Sequence, residues 1–120
     1  MKNILIVEDD QFLNDIYRAR FNSYKNIKIE IARDGNEAFD IITKAKPDAI
    51  ILDLVMPNLD GYGFLQKLKD ANITVPILVS SNLDSQDDIK RAIDLGAKDY
   101  FIKSDSTVKD IVDKIMSIMR

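Results

Sequence analysis

Neither cysteine nor histidine occurs in this sequence. Without thiols the chain can build no disulfide and no cysteine-ligated zinc site, which fits a reducing compartment. Without imidazole it lacks the usual general base, the nitrogen metal ligands and any internal phosphohistidine. Acid–base or phosphate chemistry therefore falls to carboxylates, hydroxyls and lysine. A basic excess is missing too. The net charge is −3 and the pI about 4.9, which argues against the electropositive face that direct nucleic-acid binding needs. Long hydrophobic runs are equally scarce: the apolar part of the opening MKNILIVEDD is far too short for a membrane span. Acids follow it where a signal peptide has a longer apolar core and small residues. The expected location is cytoplasmic, with no membrane insertion. No repeat, low-complexity tract or linker is evident, and a chain of 120 residues is long enough to bury its own core, so one domain is expected over residues 1–120.

What the sequence does contain is an alternation of two patterns. NILIV, IKIEIA, AIILD, PILVS and DYFIK are short and rich in Ile, Val or aromatics, as strands are; IKIEIA alternates strictly, as an edge strand with one wetter face does. Between them, QFLNDIYRARFNSY, GNEAFDIITKAK, GYGFLQKLKDA, SQDDIKRAIDLGA and SDSTVKDIVDKIMSIMR carry helical spacing. Gly96 follows the stripe Ile89, Ala92, Ile93 where a C-cap belongs, Asp34 and Gly35 open the second helix, and Ser104 or Ser106 is expected to cap the last. Strict alternation of strand and helix predicts a parallel sheet covered on both faces and joined by right-handed crossovers.

In such a doubly wound sheet, ligands bind beyond the carboxyl ends of the strands, where the strand order reverses. Strand one ends in Glu8, Asp9 and Asp10, strand three in Asp53, strand four in Ser80 and Ser81, and strand five in Lys103. Asp10, directly before QFL, reads as a helix N-cap. Two carboxylates about 5 Å apart repel by roughly 3 kcal/mol at an effective dielectric of about 20, so three acids gathered together need a cation. Oxygen ligands with neither cysteine nor histidine suit Mg²⁺ better than zinc or copper. Taken singly, Lys103 is a surface lysine, Ser80 and Ser81 are strand-end hydroxyls, and Pro57 and Gly61 are turn residues.

Together these residues resemble a known family. ILIVEDD, DLVMPNLDG, PILVSS and DYFIK are similar to the successive signatures of the response-regulator receiver domains of two-component signalling, over Asn3 to about Met116. The resemblance implies a flavodoxin-like α/β fold, a doubly wound five-stranded parallel sheet of order 2-1-3-4-5 with five helices. It implies that Asp53 is the phosphoacceptor, and that Glu8 and Asp9 bind Mg²⁺ together with Asp53 and the backbone carbonyl of Val55. Ser81, in preference to Ser80, takes the place of the hydroxyl that touches the phosphoryl group, Lys103 that of the pairing lysine, and Tyr100 that of the aromatic switch residue. The implied phosphoryl donor is a histidine kinase or phosphotransfer protein, and the implied output is a changed surface for a downstream protein target. Such a protein is a signalling phosphoacceptor that assists its own phosphotransfer and dephosphorylation, and is not classed as an enzyme.

Two positions depart from the family pattern. Ser104 stands where proline is usual, so the peptide bond before it is expected to be trans, and Asn82 stands where alanine or glycine is usual. Three rival readings fit less well. A flavodoxin-type FMN carrier would follow its first strand with a hydroxyl- and glycine-rich phosphate loop, and VEDD presents acids instead. A Mg²⁺-dependent aspartyl-phosphate hydrolase usually has a second acid two residues after the nucleophile, where Val55 stands. A docking module that is never phosphorylated would have no use for intact Glu8, Asp9, Asp53, Ser81 and Lys103.

Overall fold

Strict alternation in IKIEIA produces a strand with one wetter face, and β2 (Ile27–Ala32) lies at an edge of the sheet. The structure, a computed structural model, describes residues 1–119. Over these the chain runs β1 (Lys2–Val7), α1 (Gln11–Phe21), β2, α2 (Gly35–Lys44), β3 (Ala49–Leu52), α3 (Gly61–Asp70), β4 (Ile77–Ser81), α4 (Gln86–Asp94), β5 (Asp99–Ile102), a 3-10 turn (Lys103–Asp105) and α5 (Val108–Ile118). All the strand pairs are parallel, in the order β2-β1-β3-β4-β5. Fold class and strand order are those the resemblance implies.

The central strands read as unbroken apolar runs because both of their faces are covered. Every residue of β3 is buried. Successive side chains feed two separate layers: Leu5, Leu52 and Val79 pack with Phe64 and Leu65 of α3, whereas Ile6, Ile51 and Leu78 pack with Tyr17 of α1 and Ile115 of α5. Each large apolar side chain buried in this way contributes about 1.5–3 kcal/mol of hydrophobic stabilisation, before conformational entropy is charged against it.

Caps set where the helices begin. Asp10 accepts from the backbone N–H groups of Phe12 and Leu13, and Asp34 from that of Glu37, as expected. The last helix differs from expectation. Neither Ser104 nor Ser106 caps it: Ser104 lies in the 3-10 turn and Ser106 is extended, while Thr107 forms a reciprocal capping box with Asp110. The α4 stripe is also narrower than its spacing implies, since Ala92 is its one fully buried residue and Ile93 is 42% exposed. Gly96, at φ +113°, ends that helix in a conformation that side chains disfavour.

This topology places the site. From β1 the chain goes to β2 on one side and β3 on the other, so the strand order reverses between β1 and β3. Val7 is paired with Leu52. The residue that follows each strand is an acid, Glu8 and Asp53.

Candidate acidic site at the strand ends

Asp53 is held at its backbone, where its N–H donates to the Val7 carbonyl at 2.9 Å, and only 6% of its surface is exposed. Glu8 is 3% exposed, Asp9 is exposed, and carboxylate oxygens of Glu8, Asp9 and Asp53 lie within 4.8 Å of one another. Lys103 reaches into this group from the far end of β5. Its ammonium donates to Glu8 Oε1 at 2.5 Å and to Asp53 Oδ2 at 3.2 Å. Two carboxylates and one ammonium thus share a largely buried space, with the exposed Asp9 beside it.

The electrostatics follow from that enclosure. Burial pushes the Glu8 carboxyl up to about 7, against the hydrogen bond from Lys103 and aided by the charge on Asp53. Burial also draws Lys103 down, but its bond to Glu8 and the charge on Asp53 more than offset this and hold the ammonium above the usual lysine range. A cation among the acids would relieve the penalty on Glu8, and every donor is a carboxylate oxygen. These residues fit a hard divalent ion such as Mg²⁺. Val55, 59% exposed, lies in the loop after β3, and its N–H donates to Asp53 Oδ1 at 3.3 Å.

The two adjacent serines separate. Both are buried, but the Ser81 hydroxyl accepts from the Leu83 N–H at 3.3 Å, while the Ser80 hydroxyl has no hydrogen-bond partner among the described residues and lies beside the Tyr17 phenol. Tyr100, half-buried against the α3 layer, donates its hydroxyl to the Leu83 carbonyl at 2.5 Å. Ser81 and Tyr100 therefore hold the two polar ends of one residue. Burial raises the Tyr100 phenol above its ordinary value, and the Ser81 hydroxyl beside it lowers it in part.

One supporting residue escaped the sequence reading. Asn14, 1% exposed, donates its side-chain amide to the Glu8 carbonyl at 2.9 Å and so fixes the turn carrying the acids. Its signal was an asparagine on the buried face of α1, in register with Tyr17 and Phe21.

Comparison with known proteins joins this geometry to a family. The profile of the response regulator receiver domain matches residues 4–116. The chain belongs to this family. Among relatives of this receiver domain, the response regulator MprA of Mycolicibacterium vanbaalenii is 34% identical over 117 residues, covering 98% of this chain and 50% of MprA. The chain thus spans about half the length of that relative. The receiver domain of the Francisella response regulator 1452 matches with a TM-score of 0.90 at 27% identity, covering 99% of this chain and 97% of that one. A two-component response regulator from Clostridium difficile matches with a TM-score of 0.88 at 27% identity, covering 100% and 97%. Receiver domains are the phosphoacceptor modules of two-component signalling, phosphorylated by histidine kinases. No helix among the described residues is long and apolar enough to cross a membrane.

Proposed function

We propose that residues 1–120 act as one receiver unit in which Asp53 takes a phosphoryl group from a histidine kinase or phosphotransfer protein. The observation that carries this reading is the partly buried contact of Lys103 with Asp53 at 3.2 Å, beside the Glu8 and Asp9 carboxylates. Oδ2 of Asp53 is engaged by Lys103, and Oδ1 receives only the long bond from the Val55 N–H. Oδ1 is the freer nucleophile. It attacks the phosphorus of the donor, forming a P–O bond as the P–N bond of a phosphohistidine, or the P–O bond of an acyl phosphate, breaks and its electrons leave with the donor. Lys103 keeps its proton and offsets charge on the phosphoryl oxygens. Glu8, Asp9, Asp53 and the Val55 carbonyl are the ligands assigned to Mg²⁺, which when bound screens the acids and spreads the charge of the transferring group. The module assists this transfer and its own dephosphorylation without being an enzyme for a separate substrate. Its output is a changed surface for a downstream protein in the cytoplasm, without direct contact to nucleic acid.

Incubation with acetyl phosphate and Mg²⁺ is expected to add one phosphoryl group per chain by intact mass, and a chelator to abolish the addition. Labelling that survives the chelator would remove the metal from the account.

The switch is assigned to Ser81 and Tyr100, coupled through Leu83. A phosphoryl group on Asp53 attracts the Ser81 hydroxyl and weakens its hold on the Leu83 N–H, and the Leu83 carbonyl carries Tyr100 with it. NMR with and without a beryllofluoride mimic should therefore show the Leu83 amide and the Tyr100 ring changing together. An unchanged Tyr100 rotamer population excludes this route.

A further inference from the structure

Asn82 and Ser104 are 22 residues apart and lie on different loops, yet the Ser104 N–H donates to the Asn82 side-chain oxygen at 3.0 Å. Ser104 belongs to the 3-10 turn Lys103–Asp105, whose first N–H groups have no acceptor within the turn and donate to no side chain at its own N-cap. The bond that closes the turn, from the Ser106 N–H to the Lys103 carbonyl, is long at 3.5 Å. Asn82 thus caps this turn from across the site. The loop that carries Asn82 is itself fastened one residue later, where Tyr100 donates to the Leu83 carbonyl. The two departures from the family pattern are one feature. Proline at position 104 would have no N–H to give, and alanine or glycine at position 82 would have no side-chain oxygen to receive it.

We propose that Asn82 is a positioning residue, whose bond to the Ser104 N–H joins the loop after Ser81 to the turn that presents Lys103. The Ser81 loop and the ammonium that contacts Asp53 are then held as one unit. This rests on the reading of Asp53 as phosphoacceptor. Lys103 reaches the acids on a long flexible side chain, and its backbone anchor is a short turn with little internal bonding. A drift of about 1 Å in such an anchor is enough to cost a large part of the alignment a transfer needs. A tether on the adjacent residue suppresses that drift and makes any displacement of the Ser81 loop felt at Lys103.

Amide exchange and labelling rate test this separately. In the unphosphorylated protein, exchange of the Ser104 amide is expected to quicken about five- to tenfold in Asn82→Ala, the change associated with loss of one exposed hydrogen bond. Unchanged exchange overturns the tether. For phosphorylation of Asp53 by acetyl phosphate, Ser104→Pro deletes the N–H and is expected to slow labelling about fivefold when Asn82 is present, but to change it by less than about twofold in the Asn82→Ala background. Ser104→Ala keeps the N–H and is expected to label like the unaltered protein. Equal effects of Ser104→Pro in both backgrounds overturn the positioning role. If Asp53 takes no phosphate in the unaltered protein, the phosphoacceptor reading fails, and the exchange of the Ser104 amide still decides the tether.

Discussion

Replacing Lys103 with methionine is expected to slow phosphorylation of Asp53 by about two orders of magnitude or more, the usual effect of losing an enclosed group that stabilises transferring charge. Methionine preserves much of the length and the apolar stem, so the change removes the ammonium more than it removes packing. That ammonium touches both Glu8 and Asp53, and its side chain is only 20% exposed. Once it is gone, an anionic donor meets uncompensated carboxylates, and the phosphoryl oxygens lose their nearest fixed positive partner. A lysine that merely neutralised buried acids would behave differently: its loss would lower the melting temperature while folded molecules kept their labelling rate. Initial rates by intact mass, taken well below the melting midpoint of each protein, separate the two. A rate within a few-fold of the unaltered protein would count against a catalytic Lys103.

Gly61→Ala is expected to destabilise the domain, although helix propensity alone favours alanine over glycine by about 1 kcal/mol. Packing reverses the sign. A Cβ on Gly61 would lie 2.5 Å from the Asp53 carbonyl oxygen and 2.7 Å from Leu54 Cα, backbone atoms that have no rotamer to escape into. The Gly61 N–H also donates to the Leu54 carbonyl at 3.0 Å, which holds the start of α3 against the loop. Relief must come from shifting the main chain, and a net loss of about 3 kcal/mol is expected. For a domain of this size that lowers the melting temperature by roughly 10 °C. Because the displaced atom belongs to Asp53, labelling of the folded fraction should slow as well. Gly63→Ala is the contrast: its Cβ would meet the tip of the Leu59 side chain at 2.5 Å, which can swing aside, so its cost should be much smaller. Equal melting points for the two variants would contradict the account of Gly61.

The glycine also shows where sequence reading stopped. A turn residue near Pro57 was visible in the sequence; that it presses on the Asp53 carbonyl depends on how the loop folds back, which no local pattern encodes. The strands were legible because their periods are short and their environments uniform, alternating in IKIEIA at the edge and continuously apolar in AIIL at the centre. The acids were legible because strand ends in a parallel sheet converge. The start of α5 was misplaced at Ser104 or Ser106, and the deciding signal was present in Thr107 and Asp110, three residues apart as a capping box requires. The exposure of Ile93 was not legible, since helical spacing records a stripe but not how much of it a neighbour covers. Nor could the bond between Asn82 and Ser104 be read, because it joins a side chain to a backbone group on another loop.

Phosphorylation at a single carboxylate remains the point on which the rest depends, and mass spectrometry of two proteins decides it. The unaltered chain and Asp53→Asn are each incubated with acetyl phosphate and Mg²⁺, weighed intact, and digested to locate the modification. The unaltered chain is expected to gain one phosphoryl group, on the peptide that contains Asp53, and the variant to gain none. Stoichiometric labelling of the variant, or a label on another residue of the unaltered chain, would contradict the assignment of Asp53.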